Sequence, residues 1–148
     1  MPAMHAYLDD FGKITIWMNK NFYGGRSDYF SLVEGSSSQD LVVVNAEEHD
    51  TKMKYVLTCP ADGTFGKDYK IRESHGLMVP LQIRNIVSTD EFNRMFYYGG
   101  DDLGSIYHPT HTDFALWAPT AVSVTLHIHM NKKVDSYPMK RSDHGVWR

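Results

Sequence analysis

Cysteine occurs once, at Cys59, so no disulfide can form within the chain and the fold must stand on apolar burial, which suits a reducing compartment. No apolar run approaches the roughly 20 residues that a membrane-spanning helix needs. The opening MPAMHAYLDDFGK lacks a basic segment followed by an apolar one, so no signal peptide is read and a soluble, cytoplasmic location is expected. With a formal charge of −3 there is no basic excess, which disfavours nucleic acid and anionic membrane surfaces as partners and leaves a neutral ligand open. The glycine cluster GGDDLG lacks the Gly-x-Gly-x-x-Gly spacing, and no phosphate-binding loop with its lysine occurs, so no nucleotide cofactor is expected.

What is present is apolar material arranged for strands. Of 148 residues 42% are hydrophobic and 13% aromatic, enough for a packed core. Segments 4–8 and 13–19 predict a hairpin closed by Asp10-Phe11-Gly12, with Gly12 left-handed, Leu8 opposite Ile14 and Ala6 opposite Ile16. That register puts His5, Tyr7, Thr15, Trp17 and Asn19 on the other face, whereas a two-residue loop would mix the faces. Further strands are predicted at 29–34, at 41–44 covered on both faces, at 53–58, at 69–73 and at 77–83, where Pro80 argues for a sheet edge. The run 45–50 reads as a polar bend, and Pro60-Ala61-Asp62-Gly63 as a turn. The only helical signal covers 89–96, where Phe92, Met95 and Phe96 recur at helical spacing after Ser88 and Glu91. A turn-rich joint, GGDDLGS, precedes strands at 114–118, 122–130, 134–140 and 145–148, with Phe114 and Leu116 read as core-facing.

GGDDLGSIY followed by TDFALWAPTAVSVTL resembles the start of the β-sandwich carbohydrate-binding module that precedes the catalytic barrel in bacterial type I pullulanases and related debranching and branching enzymes. AYLDDFGKITI, FGKDYKIRESHG and EFNRMFYY are similar to the small N-terminal domain of the same enzymes, so the resemblance covers nearly the whole chain. It implies an all-β architecture: an immunoglobulin-like β-sandwich over 1–97, then the first part of a second sandwich over 98–148. It also implies an accessory region without catalytic residues. The missing partner would be a barrel that hydrolyses α-1,6 links in pullulan, starch or glycogen dextrins.

The candidate binding residues follow from faces. Trp17, opposite the core-facing Ile14, Ile16 and Met18, offers a flat ring with Tyr7 beside it, and sugar C–H faces pack on such rings while Asn19 or Thr15 takes hydroxyls. An oligosaccharide is therefore the expected ligand, with Tyr29 and Arg84 as further contacts on the non-core sides of their strands, and the resemblance implies that it is an α-glucan. A large aromatic is more commonly covered, here by a loop or a neighbouring module. The rival role is a structural brace or oligomerisation domain that binds no sugar, because aromatics serve interfaces as well. Trp117, Phe96 and Tyr97, near the joint, are expected to pack between domains.

Acidic pairs at Asp9-Asp10, Glu47-Glu48 and Asp101-Asp102 are adjacent in sequence and point apart on a strand, so they do not form a glycosidase pair. Among eight histidines, His108 and His111 flank a proline turn and His127 and His129 share a strand face, but each pair supplies two ligands and no metal site is expected. Cys59 reads as an ordinary strand-end thiol.

An incomplete second sandwich would expose unpaired strands, which invite pairing with another chain. Self-association through residues after Ile106 is the expected outcome, read as a mass by light scattering that rises with concentration. A monodisperse monomer with that region ordered would contradict it.

Overall fold

The computed structural model describes residues 2–59 and 65–148, so the turn expected at 60–63 lies outside the described residues. Two compact units emerge, Met1–Thr89 and Asp90–Arg148. Sequence places a boundary after residue 97; in the structure the short helix groups with the second unit.

In the first unit the strands are β1 (Met4–Asp10), β2 (Lys13–Asn19), β3 (Phe30–Glu34), β4 (Ser37–Leu41), β5 (Val43–Glu48), β6 (Lys52–Thr58), β7 (Lys70–Glu73) and β8 (Met78–Ile83). Their order is β4-β3-β7-β8-β1-β2-β6-β5, antiparallel throughout except for the β1–β8 pair. The result is an all-β sandwich whose core draws Met4, Leu8, Ile14, Ile16 and Leu57 from one half and Phe30, Leu32 and Ile71 from the other.

The β1–β2 hairpin takes the expected register, with Ala6 opposite Ile16 and Leu8 opposite Ile14, and Gly12 has φ 71°. A bulge between Leu8 and Asp10 lets Asp10 pair Lys13, so the extra residue sits in β1 and not in a three-residue loop. Ile14, Ile16 and Met18 are fully buried as the alternation requires.

Three expectations are corrected. Pro80 does not mark an edge, since β8 lies mid-order; Met78–Pro80 pairs with β7 and Leu81–Ile83 with β1. The residue without an N–H sits where the strand changes partners, and there its missing donor costs no ladder bond. The apolar run at 41–44 is not covered on both faces, because only Leu41 is buried while Val42, Val43 and Val44 are 64%, 41% and 58% exposed. This run joins β4 to β5, which sit at opposite ends of the strand order, so its β-branched composition reports backbone preference and not burial. Residues 45–48, expected to bend, continue β5 against β6.

A charged group closes the β7–β8 turn from inside. Glu73 is fully buried, its Oε1 accepting the N–H groups of His75 and Leu77 at 2.8 Å each while Oε2 lies 2.7 Å from His75 Nδ1. Burial pulls its pKa up, but the two N–H groups and the imidazole outweigh burial and hold it below the ordinary 4.5.

The second unit holds α1 (Asp90–Phe96), β9 (Gly104–Tyr107), β10 (Thr112–Trp117), β11 (Thr125–Met130), β12 (Lys133–Pro138) and β13 (Val146–Trp147). β10 pairs with β9 and with β13, and β11 with β12. The joint therefore contains a strand, β9, which its glycines and aspartates obscured. On β10 it is Ala115 that is buried, whereas Leu116 is 48% exposed, so the core-facing assignment of Phe114 and Leu116 is shifted by one residue for Leu116. Val146 and Trp147 are buried instead; the Trp147 indole N–H donates to the Ala118 carbonyl at 3.0 Å, and Arg141 donates to the Pro119 carbonyl at 2.7 Å.

Glu73→Ala should lower stability at neutral pH by about 1 kcal/mol, since it removes the acceptor of two part-buried backbone N–H groups. The carboxylate's folded pKa is depressed, so its contribution is complete above pH 4.5 and is lost as pH falls through the folded value. Denaturant curves of wild type and variant should thus converge in acid; a difference independent of pH would contradict this role.

Candidate functional site

The outer face of β1, β2, β6 and β5 carries a row set by strand register: His5 pairs Trp17, Trp17 pairs Lys54, and Lys54 pairs Glu47. One register step along, Tyr7 pairs Thr15 and also Gln82 of β8. Alternation explains the face, because Trp17 stands between the buried Ile16 and Met18.

Trp17 is half-buried, and its ring lies 5.0 Å from that of His49, tilted by 54°. Lys54 Nζ sits 5.6 Å from the indole centroid, within cation–π range. Glu47 ties these groups together, its Oε2 being 3.4 Å from His49 Nε2 and 3.9 Å from Lys54 Nζ. On the other side His5 and Tyr7 stack nearly parallel with centroids 6.1 Å apart.

Arg84 stands over Tyr7, its guanidinium carbon 3.9 Å from the ring centroid, and grips Asp9 with two bonds, Nε to Oδ1 at 2.7 Å and Nη2 to Oδ2 at 2.5 Å. This fork–fork pair is the geometry that guanidinium suits best. The Arg84 hydrogen bond holds the Asp9 carboxyl below its ordinary 3.8, against the opposing pull of partial burial.

The structure thus brings Trp17, Tyr7 and Arg84 onto one face with Asn19, which is half-buried at the end of β2. Thr15 belongs to that face by alternation, but at 2% exposure its hydroxyl is not offered to a ligand. Tyr29, 46% exposed, precedes β3 in the other half of the strand order and does not join this row. Sequence reasoning placed His5 on this face but named neither it nor Asp9 as a candidate contact, although each stands two residues from Tyr7. Lys54, His49 and Glu47 reach the site through pairing of β2, β6 and β5, which no local pattern announces.

Trp117, Phe96 and Tyr97, expected to pack between domains, all lie within the second unit. Trp117, Phe96 and Tyr97 line one apolar cavity of about 440 Å³ with Leu103 and Tyr98. The Trp117 indole N–H donates to the Phe96 carbonyl at 2.8 Å and lies 3.1 Å from the His144 carbonyl, while Tyr97 is 72% exposed. Trp117 thus fastens β10 to α1 inside one unit.

No phosphate cradle or facing carboxylate pair occurs among these groups; the outer face is an aromatic and hydrogen-bonding surface on a rigid sheet. Together with the sandwich, it defines an all-β region whose first unit carries an aromatic and polar outer face. Residues 4–88 match the family model of the pullulanase N1-terminal domain, and residues 102–148 match that of carbohydrate-binding module 48, the isoamylase N-terminal domain. The chain belongs to the pullulanase N1-terminal domain family and is an N-terminal accessory region of the type I pullulanase kind.

It is 34% identical over 98% of its length to a pullulanase of Bacillus subtilis strain 168, of which it covers 20%. The crystal structure of a pullulanase from Anoxybacillus sp. LM18-11 complexed with maltotriose is similar with TM-score 0.88 and 34% identity, over 99% of this chain and 21% of that one. The type I pullulanase of Bacillus subtilis strain 168 complexed with maltose gives TM-score 0.88 at 32% identity, again over 99% of this chain and 21% of that one. The chain therefore spans about a fifth of the length of the relatives it matches.

The Asp9–Arg84 pair makes a pH prediction. Asp9 is depressed in the folded state, so the pair is complete above pH 3.8 and is lost as pH falls through the folded value. The Arg84 Nε–H resonance should stay protected from solvent exchange at pH 5 and lose protection in strong acid. In Asp9→Asn the protection should be weak at every pH; equal protection in both proteins would contradict the pairing.

Proposed function

We propose that this region is a non-catalytic α-glucan-binding accessory part of a glycoside hydrolase that cleaves α-1,6 links. The observation that carries the reading is Trp17, held half-open on a flat strand face between His5 and Lys54. The apolar face of a glucose ring packs on the indole, and the hydroxyls around it meet the Asn19 amide, Lys54 and Glu47. Tyr7, braced by Arg84, extends the platform toward β8 and suits a ligand longer than one sugar unit. The relatives complexed with maltotriose and with maltose support a ligand of this class. In this reading the region concentrates the parent enzyme on branched substrate and leaves bond cleavage to another domain.

Because one aromatic platform carries the contact, affinity should be weak, on the order of millimolar, which corresponds to about −4 kcal/mol. Calorimetry with maltotriose and maltotetraose should give heat that Trp17→Ala removes, and pullulan should not be cleaved by the 148-residue chain. Absence of heat at millimolar sugar would overturn the binding reading in favour of a structural brace. Cleavage of pullulan would overturn the non-catalytic one.

A further inference from the structure

The β9–β10 hairpin brings together three side chains that the sequence presents as one pair of histidines. Tyr107 pairs Thr112, and the next residues close the turn, with the His108 N–H bonded to the His111 carbonyl at 2.8 Å and the His111 N–H to the His108 carbonyl at 3.3 Å. Only Pro109 and Thr110 lie outside this ladder, so the two imidazoles leave the backbone side by side. Asp113 follows His111 by two residues and therefore stands on the same face of β10. Proline in the loop and the two backbone bonds hold this spacing without any help from a ligand.

The donor atoms converge. His108 Nε2 lies 3.1 Å and His111 Nε2 3.6 Å from the same atom, Asp113 Oδ2, and the three groups offer ligand atoms within 4.8 Å of one another. Zinc bonded to nitrogen and oxygen at its usual lengths in a tetrahedron separates its donor atoms by about 3.3 Å. The two measured separations bracket that value. The rings stack with centroids 4.4 Å apart and planes within 19°, so both imidazoles present their edges to the same side of the hairpin.

Thr110 completes the set. Its Oγ1 lies 3.0 Å from His111 Nδ1, so the tautomer that donates Nδ1–H to this hydroxyl turns the Nε2 lone pair toward Asp113. In that tautomer two acceptors, Nε2 and Oδ2, face each other across 3.6 Å, and a cation between them converts the contact from repulsive to attractive. His108 and Asp113 also line a concavity of about 530 Å³ in the same unit, which leaves room for water in the remaining coordination position.

We propose that His108, His111 and Asp113 form a surface site for a divalent zinc ion, two imidazole nitrogens and one carboxylate oxygen supplying three ligands and water the fourth. The donor set selects the metal class: imidazole suits zinc and its neighbours, whereas calcium and magnesium require oxygen. Exposure of the three side chains, 42%, 56% and 65%, makes the site reversible and accessible to chelators. The site is separate from Trp17 and does not depend on the α-glucan reading.

Zinc alone, titrated calorimetrically into the 148-residue chain in a non-coordinating buffer, should bind with one ion per chain at this site, and calcium should not replace it. His111→Ala and Asp113→Asn, both on an exposed hairpin, should each weaken binding by roughly tenfold or more. His127→Ala, which alters another exposed histidine on β11, should leave it unchanged. Nitrogen-15 spectra of the imidazoles should report coordination through Nε2 of His108 and His111. The proposal is overturned if zinc does not bind at about 0.1 mM, if the two hairpin variants bind as wild type does, or if His127→Ala causes an equal loss.

Discussion

The register of the β1–β2 hairpin is the constraint on which the rest depends. Gly12, left-handed at φ 71°, and the bulge before Asp10 together set Leu8 against Ile14 and Ala6 against Ile16. A slip of one residue would turn Ile14, Ile16 and Met18 to solvent and bury Trp17, exchanging core for platform in one step. Because β1 and β2 are central in the strand order, with β8 on one side and β6 on the other, every later pairing inherits that choice.

Energetics and the proposed binding face are joined at the same strands. The inner face contributes side chains that are fully removed from water, and burial of each such aliphatic chain stabilises by about 1.5–3 kcal/mol. The outer face then carries polar and aromatic groups on a backbone too well anchored to yield. Arg84 shows how the face is braced: one guanidinium stacks on Tyr7 and bonds Asp9, so the ring is held before any ligand arrives. Lys54 and His49 do the same for Trp17, at the cost of covering part of its ring.

Much of this was legible in the residues, where the period of two was unambiguous. Alternation at 4–8, 13–19 and 53–58 identified both the strands and their buried faces, and hence Trp17 and Tyr7 as neighbours. What escaped was decided by pairing over long distances. Val42, Val43 and Val44 look like a core strand, yet they lie where the chain leaves β4 for β5, at opposite ends of the strand order, and stay exposed. Pro80 reads as an edge signal because the pattern cannot tell that β8 changes partners at that residue. The convergence of Asp113 with His108 and His111 likewise needed the turn to be closed before a third ligand could be counted.

The account rests on Trp17 as the ligand platform, and the most direct measurement is residue-resolved chemical-shift mapping with maltotetraose. The Trp17 indole resonance should move first, with His5, Tyr7 and Lys54 following and Trp117 unchanged. Shifts confined to Trp117 and Tyr97, with Trp17 silent, would contradict it.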